Sequence, residues 1–126
     1  MGHMMNREWL RDRLRLKRSA SYRLIGGTKT ALINSDAVLT LLNRSRRGPQ
    51  PALAEIPSDI CTAEELVASI PSLAECGITP ALVVAWTHRT KNPPPHFVLT
   101  SKIRRFRRSQ FTTWLEAASS PRRGER

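Results

Sequence analysis

The chain has 126 residues, is 40% hydrophobic and carries a formal charge of +11 with a pI near 11.4. That suits one ordinary domain or two very small ones, argues against wholesale disorder, and points to a polyanionic partner, nucleic acid before an anionic membrane surface. No apolar run reaches the roughly 18 residues of a membrane span, and "MGHMMNREWL" lacks the apolar core of a secretion signal.

The charge is segregated. Residues 1–47 hold 11 Lys/Arg against 3 acids, residues 48–88 hold 5 acids and no cation, and residues 89–126 hold 10 Lys/Arg against 2 acids. Taken in order, "MGHM" reads as a cloning remnant and is set aside. Asn6 then caps a helix over "REWLRDRLRL", with Trp9, Leu10 and Leu14 on its inner face and Arg7, Arg11 and Arg15 on another. "KRSASYRLI" is expected as a second short helix with Leu24 and Ile25 inward. Gly26-Gly27 turns the chain into a strand-like Leu32-Ile33. "NSDAVLTLLN" predicts a third helix, capped by Asn34 or Ser35, with Val38, Leu41 and Leu42 inward.

The Pro- and Gly-containing stretch 46–59 reads as a linker, from which Leu53 and Ile56 can pack onto a neighbour. Thr62 and Glu65 make a capping box for a helix with Leu66, Val67 and Ile70 inward. "PSLAEC" interrupts. "ITPALVVAWTHR" predicts a short helix with Pro80 in its first turn. Two extended pieces follow within "TKNPPPHFVLTSKIRRF". A closing helix starts at Ser109 as N-cap, with Phe111, Trp114 and Leu115 inward, and residues 119–126 form a mobile basic tail.

Both halves therefore read helix, turn, helix, extended hairpin, helix. One constant offset superposes Ile33 on Phe106, Val38 on Phe111, Leu41 on Trp114 and Leu42 on Leu115. A shorter offset upstream places Leu16 on Ile78 and Leu24 on Trp86, so the second hairpin is longer.

"TAEELVAS…GITPALVVAWTHR…PPPHFVLTSKIRRFRRSQFTTWLEA" resembles the winged helix-turn-helix domain of the MerR superfamily, in particular excisionases and AlpA-type phage regulators. "NREWLRDRLRLKRSASYRLIG…ALINSDAVLTLLN" is similar to a second, shorter copy. The resemblance implies a mainly α chain with short β-hairpin wings, in two tandem domains at 5–45 and 60–118. The inserted "PSLAEC" departs from the family pattern, as does Arg104, which stands where an apolar wing residue is usual.

In such domains the second helix enters the major groove and the wing meets the backbone. The first copy would then contact DNA through Lys17, Arg18, Ser19, Tyr22, Arg23 and Lys29. The second would use Thr79, Arg89, Lys91, Lys102, Arg104, Arg105, Arg107 and Arg108. Its helix presents Thr79, Ala81, Val84, Ala85 and His88 with no cation, so it makes apolar base contacts, or Val84 and Ala85 mark a protein-contact face, or the helix phase is shifted by one residue.

No catalytic constellation, P-loop or dinucleotide fingerprint is present in the sequence, and no cofactor is expected. Cys61 and Cys76 form no disulfide framework, and their spacing to His88 and His96 matches no closed zinc module. The implied role is a cytoplasmic, nucleoid-associated excisionase of a bacterial mobile element or phage, bending a direct-repeat or non-palindromic site beside a site-specific recombinase or neighbouring copies of itself. Transcriptional regulation uses the same chemistry. A protein-binding adaptor is the rival from another class, and RNA binding is disfavoured by aromatic residues at only 6%.

Overall fold

The computed structural model describes residues 4–17, 32–100 and 102–118. The expected helix over "KRSASYRLI" with Arg18, Ser19, Tyr22 and Arg23, the turn carrying Lys29, and the basic tail lie outside these residues. Among the described residues the fold is mixed α/β, with six helices and small antiparallel sheets rather than mainly helix.

The chain opens with β1 (Met4–Asn6), so Met4 belongs to the fold and is not a bystander. Asn6 ends the strand and caps α1 (Arg7–Arg13), its Oδ1 accepting from the backbone N–H of Glu8 and Trp9. Leu10 and Leu14 are fully buried as expected, but Trp9 is 43% exposed, with the Arg13 guanidinium 4.4 Å over its ring. β2 (Leu32–Asn34) pairs with β1 around Met5 and Ile33. Asn34 caps α2 (Ser35–Ser45), which buries Val38, Leu41 and Leu42.

The expected linker opens with a short strand and is otherwise without helix or strand. Arg46–Arg47 form β3, which continues directly from α2 and pairs with a strand of the second half. Asn43 exchanges two hydrogen bonds with the Leu53 backbone, at 3.1 and 2.7 Å, which draws Leu53 and Ile56 against the core. Gly48 has φ +84°, and a Cβ there would stand 2.9 Å from the Pro94 carbonyl oxygen, so only glycine fits this crossing.

β4 (Ile60–Cys61) leads into α3 (Ala63–Ser69), which carries the complete Thr62–Glu65 capping box. The expected interruption at "PSLAEC" is a helix of its own, α4 (Pro71–Glu75), with proline in its first turn, where no N–H is needed. α5 (Pro80–Trp86) is capped by the Thr79 hydroxyl. β5 (His96–Thr100) and β6 (Ile103–Arg107) form a hairpin whose register shifts between Val98 and Thr100. α6 (Arg108–Ala118) closes the chain. Its cap is not Ser109: the carboxylate of Asp59 accepts from the Ser109 N–H and hydroxyl at 3.0 and 2.5 Å, and the Asp59 carbonyl accepts from the Arg108 N–H.

One sheet, in the order β3-β5-β6-β4, separates two cores. Because strand side chains alternate in direction, Ile60, Phe97, Leu99 and Ile103 face a first core with Leu10, Leu14, Val38 and Leu42. Cys61 and Phe106 face a second with Leu66, Leu73, Val83, Phe111 and Trp114. Phe106 meets Phe111 edge-on at 5.9 Å, and Trp86 and Trp114 complete the aromatic cluster. In each half a pair of strands (β1 with β2, β4 with β6) leads into an eleven-residue helix, but among the described residues the second half carries three helices and the further strand β5 between its paired strands, where the first shows one helix. The superposed residues Ile33 and Phe106, Val38 and Phe111, and Leu41 and Trp114 are all buried, whereas Leu115, expected inward opposite the fully buried Leu42, is only partly buried.

Candidate nucleic-acid interface

The N-terminus of α3, one flank of α5 and the end of the β5–β6 hairpin enclose a groove of about 300 Å³. Thr62, Ala63 and Glu64 form one wall, Pro80, Ala81 and Val84 a second, and Lys102, Arg104 and Arg105 the third. Three of the sequence-predicted cations therefore meet Val84 in one place. Glu64 lies with them, and cation counting alone gave no signal for that carboxylate.

The cations differ sharply in freedom. Lys102 is exposed at the hairpin tip. Arg104 is partly buried, and its Nε donates to the Thr87 hydroxyl at 3.0 Å, while that hydroxyl donates to the Val84 carbonyl at 2.6 Å. The hairpin is thereby tied to the C-terminus of α5. Arg105 lines the groove as well, but its guanidinium is engaged with the first half. Its Nε and Nη2 donate to the carbonyls of Leu14 and Arg15 at 2.9 and 2.5 Å, and its Nη1 donates to the Arg104 carbonyl at 2.7 Å. Burial lowers its pKa from the usual arginine value, and Glu64 and Glu65 work against that.

Arg107 pairs with Asp59 at 2.9 Å. Burial acts to raise the Asp59 carboxyl, but hydrogen bonds from Ser109 and Arg107 outweigh it and hold the group below its ordinary pKa. Arg108 is exposed, with Nε donating to the Ser69 hydroxyl at 3.0 Å. Arg89 and Lys91 are exposed in the turn after α5, and Lys17 is exposed after α1. The sheet edge adds a basic cluster that the linker reading concealed: Arg44 and Arg47 are exposed beside β3.

On α5, Thr79 is exposed but its hydroxyl is engaged in the cap. Ala81, Ala85 and His88 are exposed, and Leu82 joins them at 40% exposure. Val84, expected on the outer face, packs partly against the second core and lines the groove instead. The helix phase is set by Val83, which is fully buried. The outer face of α5 thus carries apolar and neutral side chains, ending at Arg89.

Among the described residues no group of three or more His, Cys, Asp or Glu could hold a metal ion, and no helix is long and apolar enough to cross a membrane. His96 is buried in the sheet, its Nδ1 2.7 Å from the Pro94 carbonyl, so that nitrogen carries the proton. Burial pushes its pKa below the usual histidine value. Cys61 is buried and its thiol is pushed up to about 11, chiefly by desolvation, while Cys76 is exposed. No family model, curated protein or solved structure matches this chain significantly.

Proposed function

We propose that the chain is a sequence-specific duplex-DNA-binding protein built from two winged helix-turn-helix units, 5–45 and 60–118. We assign it to a bacterial mobile element or phage, where it acts architecturally as an excisionase beside a recombinase. The observation that carries this reading is the groove between α5 and the hairpin, with Lys102 and Arg104 on its rim and Arg89, Lys91 and Arg108 exposed on the same half. A helix flanked by a cation-tipped hairpin suits a groove read by the helix and a phosphate backbone met by the hairpin. The cations of residues 1–47 supply the second contact. Because the two halves differ in sequence, the site is a direct repeat or non-palindromic. Transcriptional control uses the same surface and differs only in whether an attachment site or a promoter is bound. Footprinting on the DNA flanking the gene tests the proposal: a protected asymmetric or repeated site supports it, and no protection at low salt refutes it.

A second reading is favoured by the uncharged outer face of α5, where Leu82 is exposed between Ala81 and Ala85. There α5 docks a protein partner while the wing and the first half hold DNA. Leu82→Asp separates the two, since it lowers DNA affinity if α5 enters the major groove and leaves it unchanged if α5 docks protein.

A further inference from the structure

The basic corner of β6 is also where the two halves are joined. α1 ends at Arg13, leaving carbonyls without helical partners, and the Arg105 guanidinium takes up those of Leu14 and Arg15 from 91 and 90 positions along the chain. Arg15 itself has a left-handed backbone, φ 57°, and its Nε lies 3.0 Å from both carboxylate oxygens of Glu65, at the head of α3. Behind this junction Phe97, Leu99 and Ile60 of the second half fill the first core with Leu10 and Leu14. On the far side α2 runs without a break into β3, which pairs with β5.

We infer that Arg105 is a positioning residue that locks the two halves into one rigid body, so that the chain accepts only DNA sites with a fixed spacing between the segments touched by each half. The DNA part rests on the function proposed above; the rigidity part does not. Two modules on a Pro/Gly linker adapt to different spacings, because the linker samples many separations. A shared sheet with a partly buried, hydrogen-bonded guanidinium at its seam does not. Inserting roughly five base pairs between the contacted segments turns one of them to the opposite face of the duplex, where a rigid protein cannot follow.

Two measurements test this. In a Cys76→Ser background, nitroxide labels on Ala37→Cys in α2 and Ala117→Cys in α6 report the distance between the halves by pulsed electron spin resonance, with buried Cys61 left unlabelled. One narrow distance distribution is expected, broadening in Arg105→Lys, which keeps the charge but has a single donor nitrogen in place of the planar fork whose three nitrogens bond the carbonyls of Leu14, Arg15 and Arg104. A broad or multiple distribution in the protein with Arg105 overturns the inference. On the footprinted site, the inserted half-turn should weaken binding more than about tenfold. Arg105→Lys should bring the ratio of native to inserted affinity closer to one, an effect that lost stability alone does not produce. Equal affinity for native and inserted sites overturns the inference. Absence of binding to any duplex refutes the DNA reading instead, and the spin-label distances still decide rigidity.

Discussion

Replacing Asp59 by alanine removes one carboxylate that serves two elements. Its Oδ1 accepts from Arg107 Nε at 2.9 Å, and its Oδ2 accepts from both the N–H and the hydroxyl of Ser109 at the head of α6. Loss of a helix cap costs about 1 kcal/mol. A hydrogen bond to a charged partner is worth roughly 1.5–3 kcal/mol, taken at its low end here because the pair remains partly solvated, at 24% and 21% exposure. The expected loss is about 2–3 kcal/mol, or roughly a 10 °C fall in Tm for a chain of this size. Thermal unfolding followed by circular dichroism at neutral pH measures it. The pH dependence supplies an independent check. The folded-state pKa of Asp59 is depressed, so its contribution is present above the unfolded value near 4 and is lost as pH falls through the folded value. The gap between wild type and variant should therefore close under strongly acid conditions. A loss below about 0.5 kcal/mol at neutral pH, or a gap that persists unchanged in acid, refutes this account of the α6 cap.

Other residues separate stability from binding. Lys102→Ala should leave Tm unchanged and weaken binding about equally on specific and random duplexes, as a phosphate contact does, whereas Arg105→Ala should lower Tm first; a matched Tm loss in both would erase the distinction. Phe106→Ala opens the second core beside Phe111 and should cost about 3–5 kcal/mol by denaturant titration, with a cost under about 1 kcal/mol contradicting its full burial. A thiol reagent at neutral pH should modify one cysteine quickly, and peptide mapping should place the label on Cys76, because Cys61 is buried with its thiol pushed up to about 11.

Local chemistry was readable along the chain. The caps at Asn6, Asn34 and Thr62 and the first-turn position of Pro80 depend only on residues within one helical turn, and all form as expected. Non-local substitutions were not readable. Ser109 has the right chemistry for an N-cap, yet Asp59, 50 positions upstream, supplies the accepting group. β3 is two arginines in a linker-like composition and becomes a strand only because β5 lies beside it. Ile103 and Phe106, three positions apart on one strand, anchor to the two opposite cores, a division that the spacing of apolar residues in β6 does not reveal without the second sheet face. Trp9 fits the inner stripe of α1 by spacing, but Arg13 covers it at the surface. The arginines show the same limit. A count of charges in "KIRRFRRS" cannot tell that the carbonyls of Leu14 and Arg15, just past α1, hold Arg105 and that Asp59 holds Arg107, while Lys102 and Arg108 remain exposed.

The most direct measurement is the affinity for a fluorescent duplex across a salt series, read by anisotropy, with single-stranded DNA and RNA of the same sequence as competitors. With about six phosphates neutralised across both halves, log affinity should fall against log salt with a slope of about −5, and the duplex should be preferred. A slope near zero, or equal or tighter binding to single strands or RNA, contradicts the account.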